Sequence, residues 1–155
     1  MKHKIQLLVL LLLILGFYSC DPKQPFEDIH TFPDATWHRF DILSFDLPIK
    51  KTADEYTIMV VIRHTAALEH DRIPVHFIMT LPWGEERIWE QTFVIRDRDG
   101  NYQGVKKDGV YEIVTPVRTR MSFREDGTCT ITAEQFIPKY NTQGIVAFGL
   151  RLSRN

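Results

Sequence analysis

Apolar and polar residues alternate along most of the chain after residue 36, and the period is close to two. Phe40 to Ile49 is expected to form a first strand. Phe40 and Ile42 share one phase and Phe45, Leu47 and Ile49 the other, so the change at Leu43-Ser44 predicts a bulge or two short pieces. Glu55 to Thr65 is the strongest strand signal. Tyr56, Ile58, Val60 and Ile62 occupy one face while Met59 and Val61 make the other apolar, which predicts a sheet centre. Ile73 to Leu81 alternates again, Pro82-Trp83-Gly84-Glu85 breaks it, and Arg87 to Arg96 follows. Asp97 to Gly104 is turn-rich, and Val110 to Phe123 predicts one or two strands with Pro116 at an edge or break. Asp126-Gly127 is a hairpin signal; Thr128 to Phe136 and Ile145 to Leu152 complete the set. About eight short strands separated by turns predict an all-β, single-domain antiparallel β-sandwich, with a closed barrel as the alternative.

The first twenty residues follow a different pattern. Met1-Lys2-His3-Lys4 is a basic head, Ile5 to Phe17 is apolar apart from Gln6 and Gly16, and Ser19-Cys20 closes the run. This is the layout of an export signal rather than a membrane span. A small residue followed by Cys at that position resembles the lipobox of bacterial lipoproteins, although Phe17 and Tyr18 are bulkier than usual there. The resemblance implies diacylglycerol on the Cys20 sulfur, cleavage before Cys20 and acylation of the new amino terminus. Two or more acyl chains hold a protein stably on a bilayer, at roughly 0.8 kcal/mol per buried methylene. A plain signal peptide or an uncleaved anchor with an incidental Cys20 is the alternative. The expected organisation is a signal peptide over 1–19, a lipidated Cys20 with a tether carrying Pro22, Pro25 and Pro33 over 20–35, and the sandwich over 36–155.

Composition changes meaning once the chain is divided there. Apolar residues make up 44% of the 155 residues, but fourteen of them lie in the first twenty. The remainder holds 54 in 135, enough for one core. Without Lys2 and Lys4 there are 17 basic and 20 acidic side chains, a net charge of −3. That balance gives no electrostatic footprint for nucleic acid. With Cys20 acylated, Cys129 is unpaired, and its Thr-Cys-Thr-Ile-Thr setting reads as a buried small side chain in a strand.

Candidate chemistry is sparse. Asp97-Arg98-Asp99-Gly100-Asn101 offers oxygen ligands at alternate positions, yet it lacks the calcium-loop spacing and a closing Glu, so it reads as a turn. His64, His70 and His76 invite a zinc reading, but nothing at fixed spacing completes a tetrahedron; His30 and His38 lie near the tether. Ser44, Ser122 and Ser153 have no nucleophile signature, and Glu85-Glu86 reads as a solvated turn. No metal, cofactor or catalytic residue is expected. Trp37, Trp83, Trp89, Tyr102 and Tyr140 are candidates for an exposed aromatic platform or for core and rim packing.

These residues, together with the lipobox, resemble the GldH family of gliding-motility lipoproteins from Bacteroidetes. The matching features are Trp37 with Phe40; Tyr56 to Ile62 leading into Arg63-His64-Thr65; Pro82-x-Gly84; Asp97-x-x-Gly100-x-Tyr102-x-Gly104; Glu134-Gln135; and Gly144-Ile145 before Phe148-Gly149-Leu150. Tyr102 stands where Trp is expected, and Phe136-Ile137-Pro138 replaces an expected Met-Arg pair, which suggests a distant member. The resemblance implies a lipid-anchored, non-enzymatic envelope protein at the outer membrane, on its periplasmic or surface face, working with other envelope proteins in gliding or the associated secretion. The alternative is a surface lipoprotein that binds carbohydrate or peptide through Trp37, Trp83 and Tyr140. Arg63-His64, at the end of the strongest strand, is the candidate contact to an acidic partner, unless Arg63 pairs within the chain with Asp71 or Glu69. Gln135 is expected to satisfy backbone groups at a strand end.

Overall fold

The structure is a computed structural model that describes residues 25–155. The signal segment, Cys20 and the first residues after it lie outside the described part. Among the described residues eleven strands form in chain order and no helix: β1 (Phe26–Thr31), β2 (Thr36–His38), β3 (Leu43–Ile49), β4 (Tyr56–Thr65), β5 (Arg72–Thr80), β6 (Glu86–Val94), β7 (Val105–Lys107), β8 (Val110–Met121), β9 (Gly127–Gln135), β10 (Asn141–Gln143) and β11 (Ile145–Arg154). One sheet has the order β1-β11-β4-β8-β7 and the other β3-β9-β5-β6, with a separate β10-β2 ribbon. Every pairing between them is antiparallel.

Alternation selects the inner faces. In β3, Leu43, Phe45, Leu47 and Ile49 are buried while Ser44, Asp46 and Pro48 face water. β4 lies between β11 and β8, as its two apolar faces predict, and Val61 on its second face is as buried as Val60 and Ile62. The sheets meet through aromatic rings. Phe148 of β11 lies 6.2 Å from Phe45, 6.3 Å from Phe77 and 6.4 Å from Phe93, all on the opposite sheet. Its ring is also 4.8 Å from Trp37 on the ribbon. Cys129 sits in this core, and burial pushes its thiol up to about 11, so it stays protonated at neutral pH.

Four sequence expectations are corrected. Residues 26–31 are not part of the tether: they form β1, paired along its length with β11. The bare backbone of Gly149 makes this close approach possible, because a Cβ there would strike Asp28 O and the Ile29 side chain. Phe40 and Ile42 do not belong to the first strand; β3 begins at Leu43, and residues 39–42 turn from the ribbon into the second sheet. Asp126-Gly127 is not a hairpin, since β8 and β9 lie in different sheets. Asp126 instead accepts the Lys51 N–H at 2.6 Å, tying that connection to the end of β3. β2, β7 and β10, each three residues long, are additional short strands.

β8 runs unbroken through Pro116, but β7 covers it only from Val110 to Glu112. Pro116 therefore lies on an otherwise open edge, and the register slips beside it. Both features discourage edge-to-edge pairing with another chain.

Truncating the ring that joins both sheets to the ribbon should be costly. Phe148→Ala is expected to lower unfolding free energy by about 3–5 kcal/mol, whereas Phe40→Ala on the surface should stay within about 0.5 kcal/mol. Denaturant unfolding of the two variants checks this, and equal midpoints would contradict the packing described.

Candidate functional site: one end of the sandwich

β1 begins beside Leu152, near the end of β11, so the chain comes in from its amino-terminal segment at one end of the sandwich. Tyr56, Met121 and the Lys50–Asp126 ion pair lie at that same end. The opposite end holds Thr65, Val110 and Ile145, and the β2-β10 ribbon closes it. Trp37 and Thr142, directly opposed in the ribbon, both point inward and are buried. The Trp37 indole N–H donates to Asp41 O at 2.9 Å, and its ring stacks on Phe32 at 5.7 Å.

Gly144 joins the ribbon to β11 with a positive φ of 88°. Its N–H donates to Ala35 O and its carbonyl accepts from Thr65 N–H. A side chain there would collide with the backbone of Leu68. Beside this junction, His64 is fully buried, stacked 5.2 Å from Tyr111 and with the tilted Tyr102 ring 5.5 Å away. Its Nδ1 lies 3.1 Å from Thr65 O, so the neutral ring donates there. Burial lowers its pKa; the Thr65 carbonyl opposes that shift and the nearby Arg96 charge adds to it. Tyr102 donates its hydroxyl to Ala66 O at 3.2 Å. Gln135 is buried, and its side-chain oxygen accepts the Ile137 N–H at 2.8 Å, as expected from sequence.

Arg63 lies on the outer face of β4, where its Nε is 2.7 Å from Glu112 of β8. The expected partners are otherwise engaged: Asp71 pairs with Arg96 and Glu69 with Lys139. A hollow of about 550 Å³ opens over this ion pair, lined also by Val105, Lys107, Val110 and Val146. Asp97 acts as a turn former, accepting the N–H groups of Asp99 and Asn101 at 2.9 Å each. The Asn101 N–H is the main cause holding its carboxyl below the ordinary range. Among the described residues no three His, Cys, Asp or Glu side chains converge on a metal-sized site.

The aromatic platform does not assemble. Trp37 is core, and Trp83, in the β5–β6 turn, is half-buried with Arg124 4.3 Å over its ring. Tyr140 is 66% exposed. Trp83 lies beyond the Thr80–Thr130 pairing and Tyr140 beyond Gln135, so they occupy opposite ends of the second sheet. Trp89 stacks under Arg118 at 4.0 Å and on Phe77 at 4.9 Å. Phe40 lies 6.1 Å from Tyr140 and is 70% exposed, a neighbour the strand assignment concealed.

Trp37, Arg63, His64, Tyr102, Gln135 and Gly144 thus come from five separate stretches of chain to one end of the fold, most of them in structural contacts. The class these features define is an all-β sandwich protein, carried behind an apolar amino-terminal segment, with its distinctive residues gathered at the ribbon-capped end. The chain belongs to the GldH lipoprotein family, whose profile matches residues 24–152. It is similar to the gliding motility lipoprotein GldH of Flavobacterium johnsoniae, with 24% identity over 96 residues. That alignment covers 62% of this chain and 60% of the relative.

His64 makes stability depend on pH. The folded protein binds its proton less readily than the unfolded chain, whose ordinary value is 6.5. As pH falls below that value the unfolded chain takes up the proton first, so stability decreases; above it the contribution is fully present. Unfolding midpoints between pH 7.5 and 5 should fall for the natural chain and fall less steeply for His64→Gln. Parallel slopes would contradict a buried neutral ring.

Proposed function

We infer that the protein is a non-enzymatic, lipid-anchored component of a cell-envelope machine of the gliding-motility kind, held at the outer membrane. The observation that carries this reading is the match to a lipoprotein family across nearly all of the chain after Cys20. The relative's name connects that protein with gliding motility. Cys20, at the close of the apolar segment, is the proposed site of diacylglycerol, with acylation of the freed amino terminus. The non-enzymatic part draws support from the polar side chains at the capped end. Arg63 pairs with Glu112 of the next strand, and His64 and Gln135 bond the backbone beside them.

Cys20→Ala should abolish incorporation of labelled palmitate and reduce the outer-membrane fraction by roughly tenfold or more, because a domain without acyl chains has no comparable hold on a bilayer. Unchanged labelling or an unchanged outer-membrane fraction would sink the anchor. Deleting the protein from a gliding host should stop colony spreading, and the natural chain should restore it when Cys20→Ala does not.

A further inference from the structure

At the capped end, two loops hold large apolar side chains out in water. Residues 39–42 carry Phe40 and Ile42, 70% and 61% exposed, and residues 136–140 end in Tyr140, 66% exposed. The loops are fixed to each other and to the core. Arg39 N–H donates to Tyr140 O at 2.9 Å, Asp41 N–H to His38 O at 3.1 Å, and the buried Trp37 indole to Asp41 O. His38 Nδ1 lies 2.7 Å from Asn141 Oδ1. Exposed aromatics held in place suit a binding hot spot, because little order remains to be imposed when a partner arrives.

Charge narrows the partner. The Arg39 guanidinium lies 5.9 Å over the Phe40 ring, and no carboxylate among the described residues pairs with it. Lys139, next to Tyr140 in the chain, is matched by Glu69, and Arg96 by Asp71. Asp41 on the same loop is also exposed and in no ion pair among the described residues, but it is Arg39 that lies against the Phe40 ring, so the two rings present a cation, complementary to a carboxylate set among aliphatic side chains.

Position narrows it further. Five residues lie between Cys20 and Phe26, so six Cα steps give a reach of about 20 Å at full extension. β11 spans about 30 Å from the anchored end to the capped end. The tether is shorter than the body, so the capped end cannot be turned down onto the bilayer that holds the lipid.

We propose that Phe40, Tyr140 and Arg39 form a docking surface for an envelope protein that offers a carboxylate among aliphatic side chains, on the side away from the anchoring membrane. This rests on the Cys20 anchor. The test places a benzophenone side chain at position 40 or 140 of the full chain in its own cells, with position 88 on β6, also exposed, as control. Irradiation should give a discrete protein adduct from 40 and 140 and none from 88. The sequenced crosslinked peptide should contain Asp or Glu beside aliphatic residues. Arg39→Glu should lower the yield roughly fivefold or more while membrane fraction and unfolding midpoint stay unchanged. Reversing the partner's acid to Lys should then restore it. No adduct, an adduct of a second copy of this chain, an adduct to lipid, a crosslinked peptide without an acid, or indifference to Arg39→Glu would each overturn the proposal. Failure of the anchor itself is read separately, as palmitate labelling and fractionation that do not respond to Cys20→Ala.

Discussion

The fold depends on one aromatic contact. Phe148 projects from β11 between the sheets and meets Phe45, Phe77 and Phe93 from the facing sheet and Trp37 from the ribbon. Three separate pairing systems share this ring, and a few backbone hydrogen bonds, such as those at Gly144, add to the side chains that join them. Aromatic rings bury large areas and prefer tilted or edge contacts, so a single Phe can address several partners at once. The residues around it follow from that role. Gly149 leaves room for β1 on the outer side of the same strand, and Ala147 keeps the position before it small and buried.

The ribbon turns this packing into a surface. With Trp37 drawn inward, residues 39–42 must travel from the ribbon to the start of β3 in the second sheet, and Phe40 and Ile42 are carried outside. The buried and exposed aromatics are thus two consequences of one crossing. The same closure sets the direction of the molecule. β1 brings the chain in at the far end, and its pairing with β11 makes residues 26–31 part of the first sheet.

Much of the architecture was legible before any coordinates. The alternation in Leu43–Ile49 and Arg72–Thr80 reports burial on one face, and the two-sided apolar run of Tyr56–Thr65 reports a sheet centre, because a strand's side chains point alternately to its two faces. What escaped has a common cause. β1 is only partly buried and is held by ladder hydrogen bonds to β11, which leave no apolar rhythm to read. β7 has three exposed residues and no pattern at all. Phe40 and Ile42 did alternate, yet their rhythm belonged to a turn whose position depends on Trp37.

Local chemistry by itself determined the all-β class, the inner faces of the long strands, the Asp97 turn and the marked junction at Cys20, since each follows from neighbouring residues. Tertiary structure alone decided which strands share a sheet. Asp126-Gly127 has the composition of a hairpin, but the strands on either side find their partners elsewhere, β8 on β4 and β9 on β3 and β5. It also decided that Arg63 meets Glu112, forty-nine residues away, and that Trp37 lies in the core while Tyr140 faces water. Such outcomes depend on contacts between segments far apart in sequence, and no short window of sequence contains both halves of the contact.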